Sequence, residues 1–215
     1  MATRRFDLAD RLMGEIDNII KILTVSARPR REIPQVAAAT PLAPLAPAER
    51  ESSVRLMRVN HSGEVAAQAL YQGQSLTARD AAVRAAMREA AAEEVDHLAW
   101  CEQRLKELQG RTSILNPLWY LGSFALGACA GALGDRNSLG FIAETEKQVE
   151  SHLRDHLERL SPQDSRSRAI LEQMTLDEMR HGAKAASLGG KPLPFPVVMA
   201  MRATSRLMTR GSYWI

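Results

Sequence analysis

The sequence predicts an all-α protein built on a four-helix bundle, and two observations carry that prediction. Glu-x-x-His occurs twice, at Glu94–His97 and Glu178–His181, and each copy has an upstream glutamate, Glu64 and Glu146. A glutamate on one helix and Glu-x-x-His on the next, repeated once, is the spacing of a bundle that turns six metal-binding side chains into its interior. The composition agrees. The chain has 215 residues, 45% of them hydrophobic and 5% aromatic. Ala, Leu, Met, Arg and Glu are abundant and β-branched residues are scarce, which favours helix over strand. The length allows one good core with an appendage.

The elements follow in order. Residues 6–25 place Leu8, Leu12, Ile16, Ile19 and Leu23 at three-to-four spacing, a short amphipathic helix. Residues 28–48 hold five of the ten prolines among alanines and read as a semi-extended arm, not a packed element. A helix is predicted over about 50–75, stopping near Gly73. The next starts at Thr77, with Asp80 three residues later as its cap partner, and ends at Gly110. A third spans roughly 138–160. Ser161-Pro162-Gln163-Asp164 then reads as cap, first-turn proline and N3 acid of a fourth, which ends at Gly189-Gly190. Pro192, Pro194 and Pro196 precede a last helix near 197–210. Three regions result: an N-terminal helix (1–27), an Ala/Pro-rich arm (28–49) and the bundle (50–215).

Chance would supply two Glu-x-x-His hits in roughly one such chain in twenty, so placement on the helix matters more than the motif. One stripe runs Val83, Met87, Ala90, Glu94, His97, Cys101, Leu105; others run Ile142, Glu146, Val149, Leu153 and Ile170, Met174, Glu178, His181, Ala185. Val54, Met57, His61, Glu64, Ala67, Tyr71 is a more polar stripe. Four glutamates are thereby assigned to one interior. An isolated buried carboxylate costs several kcal/mol and four would repel one another, whereas two divalent cations balance their charge. Mixed carboxylate and imidazole donors suit iron or manganese. Asp177, next to Glu178, is a candidate acceptor for the outward N–H of a ligand histidine, His97 across the bundle, with a solvated helix acid weighing equally. His61, His152 and His156 are spare. His152 could line the cavity, but a plain polar role ranks first for all three.

Composition narrows the setting. Net charge is +3 and the sequence pI about 9.1, compatible with an anionic membrane surface or with RNA. No long Lys/Arg run with interleaved aromatics supports nucleic-acid binding. Cys101 and Cys129 give no pairing framework, which points to a reducing compartment. The N-terminus has Arg4 and Arg5 but no apolar run, and Asp7 and Asp10 interrupt it, so it does not read as a secretory signal.

The segments RVNHSGEVAAQALYQGQ (58–74), EEVDHLAWCEQRLKEL (93–108), AETEKQVESHL (143–153) and LDEMRHG (176–182) resemble the demethoxyubiquinone hydroxylases of ubiquinone biosynthesis. Those enzymes are ferritin-like di-iron proteins, and the resemblance covers about residues 50–215. It implies a ferritin-like bundle with a long apolar crossover between its second and third helices and extra terminal helices. It implies the ligands Glu64, Glu94, His97, Glu146, Glu178 and His181, with Glu94 and Glu178 bridging two Fe2+ ions and Glu64 and Glu146 terminal. O2 is the implied co-substrate and a polyprenyl demethoxyubiquinol the implied substrate. From the residues themselves, Asp177 and, behind its plain polar reading, His152 are the candidates for orienting residues around the ligand set. Two departures are visible: residues 1–49 extend beyond shorter members, and Leu153 stands where animal members tend to carry tyrosine, so no tyrosine role is carried over.

Thr112 to Gly134 carries no charge and is long enough to span a bilayer. A single crossing would put the two halves of the ligand set on opposite sides, which leaves two readings of equal weight: an apolar helix lying against the membrane, opening the site to a lipid-borne substrate, and burial against the bundle or in a homo-oligomer interface. The resemblance to enzymes of a polyprenyl quinol favours the first. The resulting expectation is a peripheral enzyme on the cytoplasmic side of the inner membrane, working beside other ubiquinone-biosynthesis proteins. Electrons would come from the quinol or from a reduced nicotinamide, for which no nucleotide fingerprint is present. The alternatives are another ferritin-like oxidase, a tRNA-modifying hydroxylase, and a non-enzymatic membrane-attached scaffold, which would have no reason to place acids on four core faces.

Overall fold

The computed structural model describes residues 14, 21–22, 25–36 and 44–215. Six helices are delimited among them: α1 (Pro47–Thr77), α2 (Ala81–Glu107), α3 (Asn116–Ala132), α4 (Asp135–Arg159), α5 (Ser165–Ser187) and α6 (Phe195–Trp214). The expected helix at 6–25 lies almost wholly outside the described residues, as does the middle of the arm.

α1, α2, α4 and α5 form the bundle, with α1 paired to α2 and α4 to α5, while the crossover α3 lies along α1. Short connections at 78–80 and 160–164 make each pair neighbours in space. Both connections correct the expected caps in the same way. Asp80, not Thr77, caps α2, its side chain accepting from the N–H groups of Ala82 and Val83. Asp164, not Ser161, caps α5, accepting from Ser167 N–H. In each case the acid expected at N3 is the cap itself. Thr77 instead ends α1 with its hydroxyl donating to Gly73 C=O, and Ser161 donates to Glu49. α1 also runs through Gly73 rather than stopping there.

Gly73 stays helical because α3 lies against it. A Cβ there would meet Phe124 O at 2.2 Å, and one at Gly127 would meet Leu70 O at 2.2 Å. Small residues at these positions let two backbones touch. This is where the uncharged stretch goes: one face of α3 packs on α1, and no helix among the described residues is long and apolar enough to cross a membrane.

Two apolar layers fill the bundle. One contains Leu56, Met57, Trp100, Leu105, Leu153 and Met174; the other contains Tyr71, Val83, Met87, Leu139, Ile142 and Ala185. On every bundle helix the two layers are separated by one stretch of chain, and the four glutamates and two histidines of the sequence pattern fall in those four stretches.

Candidate metal centre

All six residues are buried: Glu64 3% exposed, Glu94 1%, His97 0%, Glu146 2%, Glu178 2% and His181 7%. Helix geometry brings them together, since residues three apart share a face. Two groups of atoms, each within 4.8 Å of one another, result: Glu64, Glu94, His97 and Glu178, and Glu94, Glu146, Glu178 and His181.

Glu94 and Glu178 belong to both groups, one oxygen facing each histidine. Glu94 Oε2 is 2.8 Å from His97 Nδ1 and its Oε1 is 3.1 Å from His181 Nδ1. Glu178 Oε1 is 3.3 Å from His97 Nδ1 and its Oε2 is 3.6 Å from His181 Nδ1. Glu64 stands on the His97 side, 3.6 Å from Nδ1. Glu146 stands on the His181 side and accepts from the Tyr71 hydroxyl.

The donor set fits a cation pair on an observation of its own. Glu94 Oε1, Glu178 Oε2 and His181 Nδ1 are buried without a hydrogen-bond partner. Native interiors rarely leave such atoms unpartnered, and three converging on one point are accounted for by a missing ligand. Electrostatics agree. Burial pushes Glu64 and Glu146 well above the usual carboxylate range. Burial opposes charge on the imidazoles too, but Glu178 and Glu94 outweigh it and raise His181 to about 12. Glu94, Asp177 and their neighbours likewise raise His97 well above its ordinary value. Without a metal, the cluster balances its charge with protons that a metal would displace.

The outward nitrogens are held symmetrically. His97 Nε2 lies 2.9 Å from Asp177 Oδ2 and His181 Nε2 lies 2.8 Å from Glu93 Oε2. Burial opposes charge on Asp177, but hydrogen bonds from His97, Arg31 and Arg180 hold its carboxyl well below the usual range. Glu93 was not anticipated from the sequence. Its signal was present all the same: it precedes Glu94 as Asp177 precedes Glu178, so the repeated unit is acid-Glu-x-x-His. His152 takes the plain polar role ranked first for it and does not line the cluster. Its Nε2 is 3.0 Å from Ser205 Oγ on α6, because a residue six positions after Glu146 is rotated off the core face of α4. His61 and His156 are buried beside Asn116 and Asn60, at 3.3 Å and 2.7 Å, outside both groups. Glu144 and Glu150 engage Gln148 and Arg154 on their own helix. The arm, expected not to pack, inserts Arg31 between Asp96 and Asp177.

A cavity of about 320 Å³ reaches this cluster and is lined by Tyr71, Met87, Glu93, Ile142 and His181. A larger one of about 680 Å³, lined by Ile22, Val25, Ala91, Val95 and Leu98, shares Tyr71 and Met87 with it.

The family model described as "Ubiquinone biosynthesis protein COQ7" matches residues 51–212. The 3-demethoxyubiquinol 3-hydroxylase of Burkholderia lata is 56% identical over 206 residues, covering 96% of this chain and 99% of that protein. The proteins of the same name from Burkholderia multivorans and Burkholderia vietnamiensis are 56% and 54% identical over the same 206 residues, with the same coverage.

Proposed function

The chain belongs to the COQ7 family of ubiquinone biosynthesis proteins, and from that premise we propose how its buried cluster serves the family's chemistry. The protein is a hydroxylase of ubiquinone biosynthesis that acts on the ring of 3-demethoxyubiquinol. Glu64, Glu94, His97, Glu146, Glu178 and His181 would hold two iron ions, Glu94 and Glu178 being the carboxylates common to both groups of ligand atoms. The observation that carries this is the placement of those two carboxylates: each turns one oxygen to each histidine, while Glu94 Oε1, Glu178 Oε2 and His181 Nδ1 are buried and face one another without a formed hydrogen bond. When bound, the iron pair supplies the activation of O2 and the oxidation of the ring.

The chain's own residues do the rest. Asp177 and Glu93 fix the imidazoles with Nδ1 turned inward. The layer of Leu56, Met57, Trp100 and Met174 closes the cluster on one side, leaving the cavity at His181 as its opening on the other. The cavity at His181 admits the ring, and the adjoining apolar cavity accepts the start of the prenyl tail. Support for a membrane-borne substrate comes from α3 and α6, which expose Leu118, Leu121, Phe195, Leu207 and Trp214. We place the protein against the cytoplasmic face of the inner membrane, lying on the bilayer rather than crossing it.

The test uses anaerobic protein loaded with Fe2+, given a demethoxyubiquinol and then O2, with mass analysis of the product. Wild type adds one oxygen to the ring. Glu178→Ala removes an acceptor from both metal positions, so it loses iron loading and hydroxylation together. Full iron and full activity in that variant would overturn the site. Rapid O2 consumption with unchanged substrate would point to an oxidase instead.

A further inference from the structure

Residues 28–36 lie outside the segment matched by the family model, yet they deliver a side chain to the back of the candidate centre. Pro29 and Pro34 bracket Arg30–Ile33 and disfavour helix there. The backbone N–H groups of Arg30 and Arg31 both point at Asp96 Oδ1, at 2.5 Å and 3.4 Å. The Arg31 side chain then forks. Nε donates to Asp96 Oδ2 at 2.8 Å and Nη1 donates to Asp177 Oδ2 at 2.8 Å. The guanidinium lies 4.8 Å from the centre of the Trp100 ring, and the Trp100 indole N–H donates to Arg31 C=O at 3.3 Å. Upstream, Ser26 and Ala27 donate to Glu102. Downstream, Ile33 packs on the core layer that contains Trp100.

Asp177 Oδ2 therefore accepts from Arg31 and from His97 Nε2 at once. Asp96 on α2 and Asp177 on α5 are both buried, with side chains 3% and 0% exposed, and a buried carboxylate needs a partner of opposite charge. A planar guanidinium that serves two carboxylates and stacks on an indole is a role lysine does not fill. We propose that Arg31 is a positioning residue of the metal centre: by fixing Asp177 behind His97, the N-terminal arm secures the metal position formed by Glu64 and His97 and leaves the Glu146–His181 position untouched. The inference rests on the metal reading of the cluster. The asymmetry is in the structure. Glu93, the equivalent partner of His181, is 34% exposed, and no hydrogen bond from residues 25–36 to Glu93 or His181 occurs among the described residues.

The experiment loads the full chain anaerobically with Fe2+ and follows transfer of iron to a strong ferrous chelator. Wild type releases both equivalents slowly. Arg31→Met keeps an apolar stem against Trp100 but loses the fork. It is expected to release one equivalent per chain about 10-fold or more faster, with the other unchanged. Asp96→Asn weakens the arm's seat without altering Asp177 or His97, and gives the same single fast phase even if Arg31→Met fails to fold. Arg166→Met removes a cation of the same helix that pairs with Glu107 and touches neither Asp177 nor the cluster, and keeps the wild-type pattern. Wild-type release from Arg31→Met or Asp96→Asn, equal acceleration of both equivalents, or acceleration in Arg166→Met overturns the proposal. A folded wild type that takes up no iron overturns the metal reading instead.

Discussion

Burial decides the protonation of two histidines outside the cluster, His61 and His156. It lowers His61 to about 4 and His156 to about 4, from an ordinary value of 6.5. Each is neutral in the folded protein at pH 7; His156 Nδ1 lies 2.7 Å from Asn60 Oδ1. Unfolding exposes an imidazole that titrates at 6.5, so between that value and about 4 the unfolded chain binds the extra proton. Stability from keeping these side chains neutral is therefore present above pH 6.5 and is lost as pH falls towards 4. His156→Gln removes one of the two. Metal-free wild type should lose up to about 3 kcal/mol relative to this variant over that window, read as diverging urea midpoints at pH 7, 5.5 and 4.5. Parallel midpoints would show that His156 charges in the folded state. The same scale shows what single residues disclose in a sequence. His61 lies on the ligand stripe yet stays out of the site, and only three-dimensional placement separates it from Glu64. Glu93 was legible through the internal repeat. Arg31 was not, because Arg28, Arg30 and Arg31 stand in a proline-flanked segment with no periodicity to give any of them a direction.

At the scale of helices, the contact between α1 and α3 is the most demanding fit in the fold. Gly127 meets the Leu70 carbonyl and Gly131 meets Thr77 and the Gln74 carbonyl, so α3 lies on α1 through a Gly-x-x-x-Gly face. Gly127→Ala forces the backbones apart and should destabilise the protein by about 1–3 kcal/mol. Gly122→Ala adds a methyl where nothing lies within 4 Å, and in mid-helix it should be neutral or slightly stabilising. Thermal melts of the pair check this; equal melting temperatures would mean that α3 does not sit tightly on α1. Helices were the readable level of this sequence. Stripes of apolar residues with one Glu or Glu-x-x-His in each gave four core faces, and the bundle assembled them as such. The errors lie at helix starts, where Thr77 and Ser161 competed with Asp80 and Asp164 for the cap. Both residue types cap well, and the choice was made by neighbours remote in sequence: Gly131 beside Thr77 and Glu49 beside Ser161. The crossover showed the same limit. Its lack of charge was plain, but which face met α1 depended on glycines whose close approach no periodicity announces.

Across the whole molecule, the uncharged crossover and the last helix leave one kind of surface in excess. α3 exposes Leu118 and Leu121, 59% and 57% accessible, and α6 exposes Phe195, Leu207 and Trp214 at 65–73%. The two helices are joined where the Trp119 indole N–H donates to Ser212 Oγ at 3.0 Å and Gly211 abuts Leu115 and Trp119. Leu118 and Leu121 therefore lie close to the C-terminal end of α6. That helix also carries Arg202, Arg206 and Arg210 in a chain of net charge +3. Apolar side chains beside arginines match the boundary between acyl chains and anionic headgroups. A quinol with a prenyl tail partitions into the bilayer, so under the proposed function the enzyme's surface should come to the lipid. We predict that the protein sediments with vesicles containing anionic lipid, more weakly with purely zwitterionic ones and more weakly still at high salt. Leu118→Glu with Leu121→Glu should cut vesicle binding about 10-fold or more, since each leucine withheld from the acyl region forfeits on the order of 1.5–3 kcal/mol. Both positions are solvent-facing, so melting temperature and iron content should remain those of wild type. Turnover should fall with a prenylated substrate in vesicles and persist with a short-chain quinol in solution. Unchanged vesicle binding in the double variant would move the membrane contact off α3, whereas equal loss of activity on both substrates would locate the defect in the site rather than at the bilayer.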